Sequence, residues 1–198
     1  MSRFLAIAAI GLLLQGCSSL IARTTGADPI GKAPGERTLS MSLQDNSIQT
    51  TAEVNILKAD PLFREANVNV VSFYNSVLLA GQVQSDELKQ KAERVVRNIA
   101  EVSQIHNELT VGNVSYYGER ASDGLILMTV RICLTLEKGF PSFCIKVFTV
   151  AGTVYLLGKL TPSEADKAVL IASQVSGVKK IIKMLDYLTE PAPPATSP

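Results

Sequence analysis

The feature that most constrains the fold is an internal repeat. Val77-Leu78-Leu79-Ala80-Gly81 reappears as Val154-Tyr155-Leu156-Leu157-Gly158, with the glycines 158 − 81 = 77 residues apart. Val68-Asn69-Val70 matches Ile145-Lys146-Val147 at the same offset, and Val102-Ser103-Gln104-Ile105 matches Val178-Lys179-Lys180-Ile181 one residue closer. A period this long marks a tandem domain rather than a solenoid, so the body of the 198-residue chain must be two copies of one small fold.

Each copy reads helix, strand, strand, helix, strand. In the first, Ile48, Ala52 and Ile56 share a helical face, and Pro61 stops the helix from continuing. Two apolar runs, 68–73 and 77–83, flank Tyr74-Asn75, where Asn75 can take the positive φ of a two-residue hairpin. Ser85 caps a second helix with Leu88, Ala92, Val95 and Ile99 inward, and 104–111 is the last strand. The second copy places a helix over 125–138 and strands over 143–150 and 153–160 that turn at Ala151-Gly152. Thr161-Pro162-Ser163-Glu164 then starts a helix with Ala165, Val169, Ala172 and Val175 inward, and Ser176-Gly177 precedes a strand over 178–188. The expected class is α+β: two tandem αββαβ domains, each a three-stranded mixed sheet on two helices. They span 46–112 and 122–189, with Gly81, Gly152, Gly158 and Gly177 as backbone-critical positions.

The N-terminus is of secretory type. Arg3 precedes an apolar run, Phe4 to Leu14, whose 11 residues are too few to span a bilayer. It ends in Leu14-Gln15-Gly16-Cys17, which resembles the bacterial lipobox. That resemblance implies cleavage after residue 16 and acylation of Cys17; Ser18, rather than Asp, points to the outer membrane, with the chain facing the periplasm. Three acyl chains at about 0.8 kcal/mol per buried methylene would hold it there durably. Residues 17–45 read as a linker rich in Gly, Pro and Thr, and 190–198 as a disordered tail. Removing 1–16 leaves 18 basic and 18 acidic residues, a balance that gives no field for nucleic acid.

Nothing in the sequence assembles a catalytic or cofactor site. The lone histidine, His106, falls on a strand with Ile105 and Leu109 on the opposite parity, so it is expected to face solvent. One histidine and no spaced cysteine pair leave no metal site, and no Gly-rich phosphate loop is present. Strand parity sends Cys144 to the sheet face away from the helices. This argues against a disulfide with Cys133, because a bridge needs Cα atoms within about 7 Å.

The apolar hairpin ending in Gly158, followed by a helix and Val175-Ser176-Gly177-Val178-Lys179, resembles the BON (bacterial OsmY and nodulation) domain. With the lipobox, the chain is similar over residues 17–188 to the dual-BON outer-membrane lipoproteins. The resemblance implies no enzyme activity and no cofactor. It also implies a role in outer-membrane integrity and at the division site, with anionic phospholipid contacted by the first helix of the second domain. Three positions depart from the family pattern: Glu101 replaces a glycine, Tyr74-Asn75 replaces Asn-Gly, and Leu125 replaces an aromatic.

That helix is apolar nearly all round. Ile126, Val130, Cys133 and Glu137 form one stripe, Leu125, Thr129, Ile132 and Leu136 a second, and Leu127, Met128 and Leu134 add more apolar surface. Such a helix is either buried or meets lipid or a partner. Burial against the first domain, contact with anionic phospholipid, and docking of an envelope protein each satisfy the pattern. Charge favours lipid: residues 122–190 carry 8 basic and 6 acidic groups, against 6 and 8 over 46–111, and Lys179, Lys180 and Lys183 cluster in the second domain.

Overall fold

The computed structural model describes residues 37–112 and 117–190, with side chains from residue 121 onward in the second stretch. The lipobox and Cys17, most of the linker, and residues 191–198 lie outside the described residues.

The first domain runs α1 (Leu39–Ala59), a 3₁₀ turn (Pro61–Arg64), β1 (Asn67–Phe73), β2 (Ser76–Val83), α2 (Asp86–Arg97) and β3 (Gln104–Val111). The second runs α3 (Tyr117–Leu136), a 3₁₀ turn (Ser142–Cys144), β4 (Ile145–Val150), β5 (Thr153–Leu160), α4 (Pro162–Ser173) and β6 (Lys180–Tyr187). In each, the hairpin is antiparallel and the third strand joins parallel to the second, so β2 and β5 are central. This is the expected α+β class, two αββαβ units with mixed three-stranded sheets.

Local chemistry explains most boundaries. Ser85 Oγ accepts from Leu88 N at 3.3 Å, and Thr161 and Glu164 form a reciprocal capping box. Both hairpins turn through two positive-φ residues, Tyr74 (52°) with Asn75 (62°) and Ala151 (50°) with Gly152 (77°). Gly81 and Gly158 occupy matching places on the central strands. A Cβ there would overlap the carbonyl oxygen of Asn67 or Cys144 on the neighbouring segment.

Three cores hold the domains. Ile48, Ala52, Ile56, Leu88, Ala92 and Val96 pack on Val70, Val77, Leu79 and Leu109. In the second domain, Ile126, Val130, Leu134, Ala165, Ala168 and Ala172 pack on Val147, Val154, Leu156 and Leu160. The opposite sheet faces meet each other: Val71, Phe73, Leu78 and Ala80 lie against Val150, Tyr155, Leu157 and Met184. The result is four layers, helices outermost and the two sheets inside. Burying both faces of each sheet offsets the marginal stability of units of about 65 residues.

Several expectations need correction. Helix α1 starts at Leu39, inside the stretch read as linker, because Thr38 caps it by accepting from Met41 N at 3.3 Å. Val96, not Val95, is the fully buried valine of α2. Cys144 sits in the helix-side core, since residues 142–144 form a 3₁₀ turn where strand parity does not apply. Cys133 is on the exposed side of α3, and the two cysteines are not joined in a disulfide. His106 is half-buried and lines a cavity between the two sheets with Tyr74, Lys183 and Asp186, rather than facing solvent. Burial holds its pKa below the usual 6.5 against the pull of Glu108 and Asp186.

Candidate functional site: the outer face of α3

Helix α3 buries Ile126, Val130 and Leu134, an i, i+4, i+8 stripe aimed at sheet two. Because the domains meet through their sheets, the described residues of the first domain leave the helix's outer stripe uncovered. Leu125, Met128, Ile132 and Leu136 are 69%, 62%, 51% and 78% exposed. At spacings of three and four residues they form one continuous stripe opposite the core stripe. Burial against the first domain is thereby excluded for these four side chains.

The face is more apolar than its composition implies. Thr129 Oγ1 donates to Leu125 O and Thr135 Oγ1 to Arg131 O, each at 2.8 Å. Both hydroxyls are satisfied by the helix backbone, as a group entering a medium without water requires. Phe143, 60% exposed in the turn before β4, adds a further uncovered ring.

A carboxylate within α3 ties the helix to the β4–β5 turn. Asp123 accepts the N–H groups of Ala151 and Gly152, both at 2.8 Å. The first domain has the same device in stronger form. Asp45 on α1 accepts from Tyr74 N and Asn75 N at 3.0 Å, Ser72 Oγ at 2.7 Å and Arg37 Nη2 at 2.8 Å. Burial alone would raise the Asp45 pKa, but the hydrogen bonds from Arg37, Asn75, Ser72 and Tyr74 together hold it below its usual value. Each aspartate stands three residues before the first core residue of its helix, Ile48 or Ile126. The left-handed turn needs an acceptor for its exposed N–H pair, and the aspartate supplies it.

The lysines are not gathered beside the stripe. Helix α3 lies over β4, whereas Lys180 and Lys183 are on β6, the opposite edge strand, with α4 packed above it. Lys179 is at the β4–β5 turn that Asp123 of α3 binds: its N–H donates to Gly152 O at 2.8 Å, and its methylenes lie beside Gly152. Among the described side chains, Arg131 on α3 and Lys138 just after it are exposed cations closer to the stripe in sequence. Gly177, at φ 91°, lies beside the Ile126 side chain, so the α4–β6 connection packs directly on α3.

Among the described residues no three His, Cys, Asp or Glu side chains cluster as a metal site, and no helix is long and apolar enough to cross a membrane.

The BON domain pattern matches residues 44–113 and 122–189. The outer membrane lipoprotein DolP of Haemophilus influenzae is 32% identical over 89% of this chain and 91% of its own length. A 21 kDa hemolysin of Actinobacillus pleuropneumoniae is 30% identical over 77% of this chain and 78% of its own. Among solved structures, CdsD, a structural protein of the type III secretion system of Chlamydia trachomatis, aligns at 17% identity with a TM-score of 0.29, over 73% of this chain and 63% of its own. With two matched domains covering most of its length, the chain belongs to the BON domain family.

Proposed function

We propose that the chain is a non-enzymatic lipoprotein of the outer membrane, anchored through Cys17 and facing the periplasm. In this reading it binds anionic phospholipid through the outer face of α3 and supports envelope integrity, including at the division site. The observation that carries the lipid reading is the stripe of Leu125, Met128, Ile132 and Leu136, all more than half exposed on a helix whose other side is core. Burying such side chains is worth ~1.5–3 kcal/mol each when complete. Four partial burials give a reversible contact, and the acyl anchor keeps the domain at high effective concentration beside the bilayer. The similarity to DolP supports the location, and the Leu14-Gln15-Gly16-Cys17 sequence supports the anchor.

Liposome flotation of the non-acylated mature chain tests the reading. The protein should float with vesicles containing phosphatidylglycerol and less with phosphatidylcholine alone. Leu125→Glu should lower binding at every salt concentration. Lys180→Glu should matter mainly at low salt, because a charge on the far edge acts at long range and is screened beyond about 8 Å at physiological strength. Equally poor flotation with both lipids would overturn the lipid reading. The stripe would then be a surface for docking an envelope protein, to be captured by crosslinking from residue 136.

A further inference from the structure

Beside the stripe runs a cleft of about 420 Å³ along β4, an edge strand of its sheet. Its walls come from both domains: Arg37 and Ser42 at the start of α1, Arg131 and Thr135 on α3, Lys146 on β4, and Phe143. Three cations thus converge on one concavity, and among the described residues the carboxylate set against them is Asp45, which is 1% exposed and already receives four hydrogen bonds.

The cations are incompletely matched. Arg37 bonds Asp45 through Nη2 and lies over the Phe73 ring at 4.5 Å, yet its Nε is shut from solvent with no acceptor. Lys146 Nζ donates to Ser72 O at 3.1 Å, and an ammonium carries three donors. Burial lowers the Lys146 pKa, and repulsion from Arg37 and Arg131 adds to that while Asp45 opposes it. An anion in the cleft would relieve this surplus, and arginine pairs with lysine are suited to the oxygens of phosphate.

We propose that this cleft binds one phosphate group, that of a phospholipid headgroup whose chains lie along Phe143 and the α3 stripe; this deepens, and rests on, the membrane reading above. Arg131 and Thr135 are the link. They face the cleft, and they neighbour Met128, Ile132 and Leu136 on the helix surface. The membrane contact would therefore be a headgroup-selective one and not only an apolar wedge.

The test uses the chain from residue 17 with Cys17→Ser. The three buried cores lie within 48–185, so removing the leader leaves all of them in place. Inorganic phosphate and glycerol 3-phosphate are titrated while amide NMR shifts are followed, and vesicle binding is measured in parallel. Glycerol 3-phosphate should saturably shift the amides of Arg131, Thr135 and Lys146 and leave Lys89 and Arg94 of α2 unmoved. Arg131→Gln, an exposed change, should weaken binding to phosphatidylglycerol vesicles about fivefold, the effect of one basic residue at an anionic surface. Lys146→Gln should act in the same direction, and the melting temperature of each variant shows that it is folded. Saturable phosphate binding without vesicle binding would uphold the cleft as a site for free phosphate and overturn its headgroup assignment and the membrane reading together. Vesicle binding lost in Leu125→Glu but unchanged in Arg131→Gln and Lys146→Gln would overturn the cleft and leave the stripe standing. So would the absence of any saturable shift.

Discussion

Replacing Asp45 by Asn should destabilise the first domain by about 3 kcal/mol. The carboxylate takes Arg37 and Tyr74 N on one oxygen, and Ser72 and Asn75 N on the other. An amide of the same size keeps one acceptor but turns the other into a donor, which then faces two donors. Hydrogen bonds to a charged group are worth ~1.5–3 kcal/mol, and leaving a buried donor unmatched costs ~1–3 kcal/mol. Two such losses, with some relaxation of the 1%-exposed site, give about 3 kcal/mol. For a chain of this size that is a fall in melting temperature of about 6–12 °C, readable by circular dichroism. The pH dependence adds a second check. The folded pKa is depressed below 3.8, so the stabilisation from ionised Asp45 is full above the unfolded pKa and is lost as pH falls through the folded value. The gap between wild type and Asp45→Asn should therefore be largest near neutrality and close as pH drops below about 4. A gap below 2 °C at neutral pH, or one that stays constant into acid, would refute the reasoning.

Two further outcomes follow from the backbone and the leader. Gly177→Val should destabilise by about 1 kcal/mol or more, because φ is 91° and a Cβ would stand 3.0 Å from Ile126 Cδ1; an unshifted melting temperature would count against it. Cys17→Ala should abolish incorporation of radiolabelled palmitate and leave the precursor uncleaved, whereas equal labelling of wild type and variant would show that Cys17 is not acylated.

The repeat made the topology readable, since strand periodicity, the Thr161 capping box and the hairpin residues each repeat or punctuate one unit. The contact between domains was harder to see, although Val70-Val71-Ser72-Phe73 carries its signal. A strand apolar on both parities is covered on both faces, and here the second cover is the partner sheet. That arrangement also explains why α3 stays uncovered, which periodicity alone left open. The paired aspartates are hard to see in the sequence because Asp45 and Asp123 stand just ahead of the apolar helical patterns that begin at Ile48 and Leu125, where a surface carboxylate is ordinary. Only their equal spacing from Ile48 and Ile126 marks them. Strand alternation does not reach Cys144, which lies in a 3₁₀ turn, and the strand face of His106 away from the helices meets the partner sheet instead of solvent. Lysine clustering in sequence did not translate into clustering beside the stripe, because β6 and β4 are opposite edges of one sheet.

The most direct test of the account places an environment-sensitive fluorophore on each outer layer in turn. Cys17 and Cys133 are replaced by Ser, Cys144 is left in its buried site, and a single cysteine is introduced by Ile132→Cys on α3 or Leu57→Cys on α1. Both positions are exposed in the free protein, at 51% and 47%. On addition of phosphatidylglycerol vesicles, the account predicts a blue shift for the probe at residue 132 and none at residue 57. A shift at residue 57 alone, or at neither position while the protein binds the vesicles, would contradict it.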